Sequence, residues 1–429
     1  MPRPSLDPRT WSRFGRVLLV ITIVGLGIRV AYVVGAKLDE GTNIGDQIFY
    51  NAAANRLAWG DGFVEPFDPH PPPLLGSDPA ADHPPLTILV LAPVSLLTDD
   101  SPNAHRFTMV AFGTATVVLI GLLARMLSGD RAGLIAAGIA AIYPNLWVND
   151  GVIMSESLSA LLITAALLVA YRLLRAPSLR LVLWLGVVCG LAALTRAELL
   201  LLVPLLLVPA ALFAAETDRA TRVRLAAAGT ALAVAVMLPW VAYNMSRFEE
   251  PVFLSTNDGI ALLGSNCETV YYGADTGLTD LNCLKGNPPG DQSVDSRIYR
   301  DRAFDYMSEH KGRAAVVTAA RVGRTWSVFR PLDMLDYNEG EARERWVTSL
   351  GLVAFYPLLL LAVYGAVVAR RKRITQWPLL VPILIVTVAS AATYGQTRFR
   401  VPAEPSLVIL GAIGLAVLVT APSRRPAHS

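Results

Sequence analysis

The sequence predicts an all-α polytopic membrane protein with about ten transmembrane helices, and three observations support this fold class. First, 53% of the 429 residues are hydrophobic and 17% are charged, which is far more apolar than a typical soluble domain. Second, several apolar runs reach the roughly 20 residues that a helix needs to cross a bilayer core. Third, basic residues concentrate in every second short loop between these runs, as the positive-inside rule requires.

Ten apolar runs are predicted to span the bilayer. They cover residues 15–36, 107–127, 132–146, 158–174, 181–194, 199–214, 225–240, 350–368, 378–392 and 401–420. The apolar region 179–214 is too long for one helix, so we divide it near "LTRAE". An eleventh run, 87–97, is short and follows "HPP". It is predicted to lie in the outer membrane interface as a helix or a re-entrant segment.

The basic residues orient the bundle. With both termini in the cytoplasm and 87–97 not spanning, 18 Lys and Arg residues lie in cytoplasmic segments. They are Arg3, Arg9, Arg13, Arg16, Arg125, Arg131, Arg172, Arg175, Arg180, Arg219, Arg222, Arg224, Arg370, Arg371, Lys372, Arg373, Arg424 and Arg425. The short outer loops carry only Arg196, Arg398 and Arg400. If 87–97 spanned, every later basic loop would face outward, so we predict a multi-pass plasma-membrane protein with this orientation.

Two large regions are predicted outside the membrane. Residues 37–106 form a first outer loop within an N-terminal transmembrane module, 1–241. Residues 242–347 form a small cap with amphipathic helices over 293–307 and 312–330, and residues 348–429 complete the bundle with a cytoplasmic tail. We expect Cys267 and Cys283 in the cap to form a disulfide in an oxidising exterior. Cys189 lies in an apolar run and is expected to serve packing alone.

Two carboxylates are predicted at the outer membrane surface. Asp46 precedes a helix-like stretch with apolar residues on one face, and a helix N-cap worth about 0.5–2 kcal/mol is its alternative role. Glu156 follows Ser155 just outside the fourth span, where it also suits the helix dipole.

Basic residues gather at the same depth. Arg196 lies in the outer turn between two spans, where the alternative is snorkelling. Arg398 and Arg400 follow Tyr394 before the last span, and His83 precedes two prolines in the first outer loop. Arginines on this side need an anionic partner, and a phosphate at headgroup level suits the bidentate guanidinium. An ordinary phospholipid would serve, but a phosphate-linked lipid substrate would also explain the carboxylates: one accepts a proton from an attacking hydroxyl, and one positions it.

The chain resembles the GT-C glycosyltransferases, in particular the branch that includes protein O-mannosyltransferases and the lipid A aminoarabinose transferase (family 39-like). The stretches that carry the resemblance run from the first outer loop to the last span. They are "GDQIFYNAAANRLAWGDGF", "DHPPLTILVLAPVSLL", "GDRAGLIAAGIAAIYPNLWVNDGVIMSESL", "GLAALTRAELLLLVPLL", "NDGIALLGSN" and "YGQTRFRVPAEP". Their order and spacing are more specific for the superfamily than for any substrate.

The resemblance implies a set of roles. Asp46 matches the family's catalytic acid/base position, and Glu156 matches its second acidic residue. His83 stands where relatives often have a basic residue. By the same resemblance, Arg196, Arg398 and Arg400 bind the donor phosphate, and we assign Tyr394 to the substrate with them.

The function expected from these residues is transfer of a hexose or pentose from a polyprenyl-phosphate donor to an acceptor hydroxyl on a protein, polysaccharide or glycolipid, with inversion. A lipid-phosphate transporter or flippase is the alternative, and a lipid-binding scaffold is a third. No cofactor is assigned. Some relatives bind a divalent metal, which leaves one possible, but His70, His83, Asp68, Asp78 and Asp82 lack strong zinc spacing. No Walker loop or dinucleotide motif is present, so nucleotide-binding activity is not expected, and no nucleic-acid partner is assigned.

Overall fold

A computed structural model describes residues 12–42, 45–66, 78–286 and 290–419. Within them the chain is helical, with one isolated bridge between Val64 and Pro79. The helices are α1 Arg13–Ala36, α2 Gln47–Trp59, α3 Leu86–Thr98, α4 Pro102–Ile142, α5 Pro144–Trp147, α6 Glu156–Arg175, α7 Leu179–Ala193, α8 Val208–Leu212, α9 Arg219–Met245, α10 Asn257–Gly264, α11 Glu268–Tyr271, α12 Gln292–Glu309, α13 Lys311–Thr325, α14 Asp333–Glu339, α15 Arg345–Arg371, α16 Trp377–Ala392 and α17 Glu404–Leu418.

The predicted all-α membrane fold class is confirmed. Six described helical segments are long and apolar enough to cross a bilayer: Arg13–Ala36, Pro102–Ile142, Glu156–Arg175, Arg219–Met245, Arg345–Arg371 and Thr397–Leu418. Shorter apolar segments are Leu86–Thr98, Leu179–Ala193, Ala197–Leu212 and Trp377–Ala392. Each of the ten predicted spans corresponds to one of these segments or to an arm of α4. The predicted cytoplasmic residues Arg3, Arg9, Arg424 and Arg425 lie outside the described residues.

Helix α4 is two helices joined at a kink. Ser128 and Gly129 leave helical geometry there, and Gly129 has φ +86°, a conformation that favours glycine. The kink separates the arms that the sequence analysis predicted as two spans, 107–127 and 132–146. The arms pack with α1, α6, α7, α9 and α15 to α17 into one apolar core of small and branched side chains.

The bundle has two chemically different ends. At one end, Arg125 pairs with Asp130 at 2.6 Å and lies over the ring of Phe14. The α6–α7 and α15–α16 loops also meet at this end, where the Tyr171 hydroxyl donates to the Thr375 carbonyl. Basic side chains at this end are mostly exposed, including the run Arg370, Arg371, Lys372 and Arg373. We call it the basic end.

The first loop and the cap cover the other end of the bundle, which we call the cap end. Buried Arg106 donates to the carbonyls of Lys37, Glu40 and Gly41, which fixes the start of the first loop. Lys37 in turn donates to the Ala342 carbonyl beyond α14. The loop and the cap are therefore joined above the bundle by buried hydrogen bonds.

The cap is built from α10 to α14 and is docked on its surroundings. Cys267 and Cys283 form a disulfide within it. The side chain of Gln292, at the start of α12, donates to Glu65 and Asp82 and accepts from the Ala81 backbone amide. Because Glu65, Ala81 and Asp82 belong to the first loop, the cap and the loop form one lid over the cap end.

Candidate active site

The local fold brings Asp46 to the start of α6. Helices α2 and α3 pack against α4 and the segment before α6 through Phe49, Tyr50, Leu91, Met109 and Met154. This packing places the N-terminus of α2, where Asp46 lies, beside Met154 and Glu156. The first loop is thus anchored next to the start of α6.

Asp46 does not act as a helix cap. It occupies the N-cap position of α2, but its side chain makes no capping hydrogen bond. Instead, Oδ2 of Asp46 accepts a hydrogen bond from Nη1 of Arg398 at 2.7 Å. The two residues are 352 positions apart in the sequence. The alternative N-cap role therefore does not account for the placement of this carboxylate.

Arg398 is a buried hub of hydrogen bonds. Its Nε donates to the Gln396 side chain at 2.7 Å, and its Nη2 lies 3.4 Å from the Tyr394 hydroxyl. Only 6% of its side chain is exposed. These contacts fix the plane of the guanidinium, so its Nη1 points at Asp46.

Glu156 lies among three guanidinium groups. Its Oε1 is 3.4 Å from Arg196, 3.8 Å from Arg343 and 4.0 Å from Arg398. Its Oε2 is buried and has no hydrogen-bond partner within the described part of the chain. Arg196 also donates to Glu198 at 2.6 Å and lies over the ring of Phe399. Arg196 is thus bound within the site and does not snorkel.

His83 lies against two aromatic rings. It stacks on Tyr50 with ring centroids 4.9 Å apart and meets the edge of Phe49 at 5.0 Å. The prolines that follow lead into α3, which begins at Leu86. Its ring is therefore held in one orientation at the site.

These residues line one cavity of about 570 Å³. Its polar side holds Asp46, His83, Glu156, Arg196, Tyr394 and Arg398. Its apolar side holds Leu200, Leu201, Val388, Ala389 and Ala392, and Phe253, Asp258 and Arg300 of the cap region complete it. A cavity of this size accommodates a ligand of several hundred Å³. Its composition suits a ligand with a charged head and an apolar tail.

Arg400 is the predicted site residue that the structure does not bring to this cavity. Its Nε donates to Glu404 at 2.6 Å, its Nη1 donates to the Thr325 carbonyl and the Ser327 hydroxyl, and its guanidinium lies over the Phe355 ring. Residues 397–403 form a 3-10 helix with about three residues per turn, so side chains two positions apart point roughly 120° apart. Arg398 consequently faces the cavity while Arg400 faces the bundle.

Charge sets the protonation of Asp46 and His83. Burial raises the pKa of Asp46, but Arg398, His83 and Arg196 together lower it by more, so the pKa lies below its usual range. Burial lowers the pKa of His83; Asp46 opposes this shift, and Arg398 and Arg196 add to it. These shifts favour an ionised Asp46 and a neutral His83 at neutral pH.

Two charged residues that contact the predicted site residues, Glu341 and Arg343, were not expected from the sequence. Glu341 lies 3.1 Å from Nη1 of Arg398, and Arg343 holds Asn149 and faces Glu156. Both lie in the short segment between α14 and α15. No periodic pattern marks that segment, so no sequence signal distinguished them from other cap charges.

No group of three or more His, Cys, Asp or Glu residues converges as a metal site within the described ranges. Of the residues considered for a metal, Asp68 and His70 lie outside those ranges. Asp82 is held by Gln292 at 3.0 Å, and Asp46 is held by Arg398 at 2.7 Å. The carboxylates at the cavity are directed at arginine nitrogens.

Fold and site together define a class: a helical membrane bundle with a covered, charged cavity at one end. A protein-family model for dolichyl-phosphate-mannose-protein mannosyltransferases matches residues 82–243. That match covers less than half of the chain and includes His83, Glu156 and Arg196. No curated protein sequence matches the chain significantly.

Solved structures resemble the whole chain. The archaeal oligosaccharyltransferase AglB from Archaeoglobus fulgidus, in complex with an inhibitory peptide and a dolichol-phosphate, is 15% identical with a TM-score of 0.54, over 96% of this chain and 51% of that one. The same enzyme with Zn and sulfate gives 16% identity and a TM-score of 0.55, over 94% and 49%. ArnT from Cupriavidus metallidurans bound to undecaprenyl phosphate gives 14% identity and a TM-score of 0.46, over 95% and 79%.

The chain thus shares its fold with these solved structures, and residues 82–243 match the mannosyltransferase family model. It spans about half the length of the archaeal oligosaccharyltransferases that it matches.

Proposed function

We propose that this protein is an integral membrane glycosyltransferase that moves a sugar from a polyprenyl-phosphate donor to an acceptor hydroxyl. The observation that carries the proposal is the contact between the Asp46 carboxylate and the Arg398 guanidinium, 2.7 Å apart at one cavity. This pair places a proton acceptor beside an anion-binding group. The match to a dolichyl-phosphate-mannose mannosyltransferase model and the dolichol-phosphate in the AglB structure support the class of donor.

The donor fits the division of the cavity into two sides. A phosphate would lie at Arg398 and Arg196, whose guanidinium groups donate in the planar manner that phosphate accepts. The polyprenyl chain would leave the cavity along Leu200, Leu201 and Val388, between residues 197–201 and α16. Leu200 and Val388 are 41% and 47% exposed, which would let the chain continue into surrounding lipid.

The reaction needs one proton acceptor and a stabilised leaving group. Asp46 accepts the proton of the acceptor hydroxyl as its oxygen bonds to the anomeric carbon from the face opposite the phosphate. The bond between the anomeric carbon and the phosphate oxygen breaks, and its electron pair leaves with the phosphate, which Arg398 and Arg196 stabilise. No general acid is needed because a phosphate leaves as a stable anion. Attack from the opposite face inverts the anomeric configuration.

Donor binding would also activate the base. While Arg398 pairs with Asp46, the lowered pKa makes the carboxylate a weak proton acceptor. A phosphate on Arg398 neutralises part of that positive charge, so the pKa of Asp46 rises toward the operating pH. Proton abstraction would then begin only after the donor is bound.

The remaining predicted residues have positioning roles in this proposal. Neutral His83 can donate one ring hydrogen to a phosphate or sugar oxygen while it remains stacked on Tyr50. Tyr394 orients Arg398 through its hydroxyl. Glu156 can accept from a sugar or acceptor hydroxyl with Oε2, which has no hydrogen bond among the described residues. Arg400 has no role at the donor because its donors are used within the bundle.

The topology proposal follows the charge asymmetry of the bundle. We place the basic end in the cytoplasm of a plasma membrane with both termini, so the cap end and its cavity are extracytoplasmic. The disulfide in the cap suits an oxidising compartment. The acceptor would then be an exported protein, a polysaccharide or a glycolipid that enters beneath the cap, and the sugar is a hexose or pentose.

The test is transfer in proteoliposomes loaded with a polyprenyl-phosphate donor whose sugar is radiolabelled. Mannose and arabinose donors are assayed separately, each with cell-envelope protein, polysaccharide and glycolipid fractions as acceptors. The proposal predicts that label moves from the donor to one fraction. Movement of intact donor between leaflets without any transfer would instead support the flippase alternative and contradict the proposal.

A further inference from the structure

Arg398 is approached by more carboxylates than one guanidinium nitrogen can hold. Nη1 of Arg398 lies 2.7 Å from Asp46, 3.1 Å from Glu341 and 4.0 Å from Glu156. Asp46 receives an aligned hydrogen bond there. Glu341 Oε2, although close to the same nitrogen, is buried and has no hydrogen bond within the described residues. The Glu341 contact is therefore electrostatic and poorly directed, unlike that of Asp46.

The backbone of Glu341 is fixed although its carboxylate is weakly held. Its amide donates to the Asn338 carbonyl, and its carbonyl accepts from Arg343. Gly45 lies against the carboxylate: a Cβ there would come within 3.0 Å of Glu341 Oε2, and Gly45 has φ +66°. These backbone hydrogen bonds hold the Glu341 side chain next to Arg398 from the cap side.

The charges around Glu341 disfavour a second anion at Arg398. Asp46 faces Glu341 from the first loop and Glu156 faces it from the start of α6, while the cations are Arg398 and Arg343. Burial raises the pKa of Glu341; Arg398 lowers it and Asp46 raises it, with a net upward shift. A phosphate that takes Arg398 from Glu341 therefore leaves this carboxylate beside two others, at a cost in binding free energy.

We propose that Glu341 is a positioning residue that occupies Arg398 in place of the donor phosphate and must be displaced before the phosphate binds. This inference rests on the proposed function. The competition sets donor affinity, because a phosphate that replaces Glu341 at Arg398 gives up the energy of the contact it breaks. Removing the charge of Glu341 should therefore tighten binding, whereas a merely structural residue would weaken it or leave it unchanged.

The experiment measures the affinity of purified protein in detergent micelles for farnesyl phosphate, a short polyprenyl phosphate. Glu341→Gln, which keeps shape and removes charge, is expected to bind about fivefold tighter or more. Glu339→Gln is the matched control, because Glu339 is the last residue of α14, only two positions before Glu341, is exposed and faces Arg345. The control should bind like the wild type.

Two further variants make the result specific. Glu341→Asp retracts the carboxylate by one methylene and should tighten binding in the same direction but by less; it also replaces Glu341→Gln should that variant not fold. In an Arg398→Gln background the gain in affinity from Glu341→Gln should vanish, because the guanidinium for which Glu341 and the phosphate compete is absent.

The outcomes separate this inference from the proposed function. If the wild type binds farnesyl phosphate and Glu341→Gln binds it equally or more weakly, the competition is refuted and the proposed function stands. If the wild type does not bind it at any soluble concentration, both are refuted.

Discussion

Two sets of buried ion pairs in this protein differ in how completely they are satisfied. The sealed set is the Arg29–Asp150 pair, which lies inside the bundle. Arg29 donates to Asp150 at 2.7 Å and to the carbonyls of Gly25, Ala140 and Ala141, and Ser157 donates to the other oxygen of Asp150. Little hydrogen-bonding capacity is left over for a ligand.

The cavity set, Asp46, Glu156, Arg196 and Arg398, is arranged differently. Nη1 of Arg398 is shared among carboxylates, and one oxygen of Glu156 has no hydrogen bond in the described part of the chain. The set also faces a cavity of about 570 Å³. Burial alone thus does not identify a functional charge; unsatisfied capacity directed into a cavity does. Three predictions test this comparison, and a fourth tests the lid above the cavity.

The largest effect is expected from Asp46→Asn in the cavity set. It removes the proposed base while keeping the shape of the side chain, so the transfer rate in proteoliposomes should fall by about 10²–10⁴-fold. Asp39→Asn, an exposed change in the same loop, is the control and should keep the wild-type rate. Near-normal transfer by Asp46→Asn would remove this residue from the mechanism.

A substitution in the sealed set is expected to lower the stability of the protein. Asp150→Asn leaves the Arg29 guanidinium buried without its counter-charge, and breaking a buried pair costs about 3–5 kcal/mol. Thermal melting in detergent should show a clearly lowered midpoint, which Asp46→Asn should not. An unchanged midpoint would mean that Arg29 and Asp150 are not the sealed pair described above.

Arg398 and Arg400 provide a direct contrast because they are only two residues apart. Arg398→Lys loses the planar donor and should raise the donor KM by about 10–100-fold, as expected for a charged hydrogen bond worth about 1.5–3 kcal/mol. Arg400→Lys should lower the melting temperature and leave the donor KM within about twofold. Equal effects of both variants on KM would contradict the assignment.

The smallest effect is expected in the pH dependence of stability, through Asp82 in the lid. Burial, and then the neighbouring Glu65, raise the pKa of Asp82 to about 6, although Gln292 opposes them. The folded state then binds more protons than the unfolded chain between about pH 4 and 6, so stability falls as pH rises through that window. Asp82→Asn should remove this slope and gain about 1–2 kcal/mol at pH 7.5.

Melting curves from pH 4.5 to 7.5 would check this prediction, with exposed Asp78→Asn as the control. A slope that persists in Asp82→Asn would assign the pH dependence to another group.

Much of the fold was predictable because the apolar runs and the charges between them report on helices directly. The split at "LTRAE" and the division of α4 near Gly129 were both found from composition. Short elements were not predictable from the sequence. The 3-10 helix Thr397–Ala403 has no periodic signal, yet it directs the side chains of Arg398 and Arg400 to different sides.

The site was predictable where residues share one depth of the bundle, as Asp46, Glu156, Arg196 and Arg398 do. Contacts made by the cap were not predictable. Glu341 contacts Arg398 only because the cap docks on the bundle, and the local sequence around Glu341 resembles that of any charged turn. The N-cap alternative for Asp46 could be decided only when the direction of its side chain was known.

The most direct test of the central claim is the position of the phosphate in a structure determined with a non-hydrolysable polyprenyl-phosphate sugar bound. Our account predicts phosphate oxygens about 2.7–3.1 Å from the Arg398 guanidinium, with the Asp46 carboxylate facing the anomeric carbon from the opposite side. A phosphate held at the basic end of the bundle, or at the cap end out of reach of both Asp46 and Arg398, would contradict it.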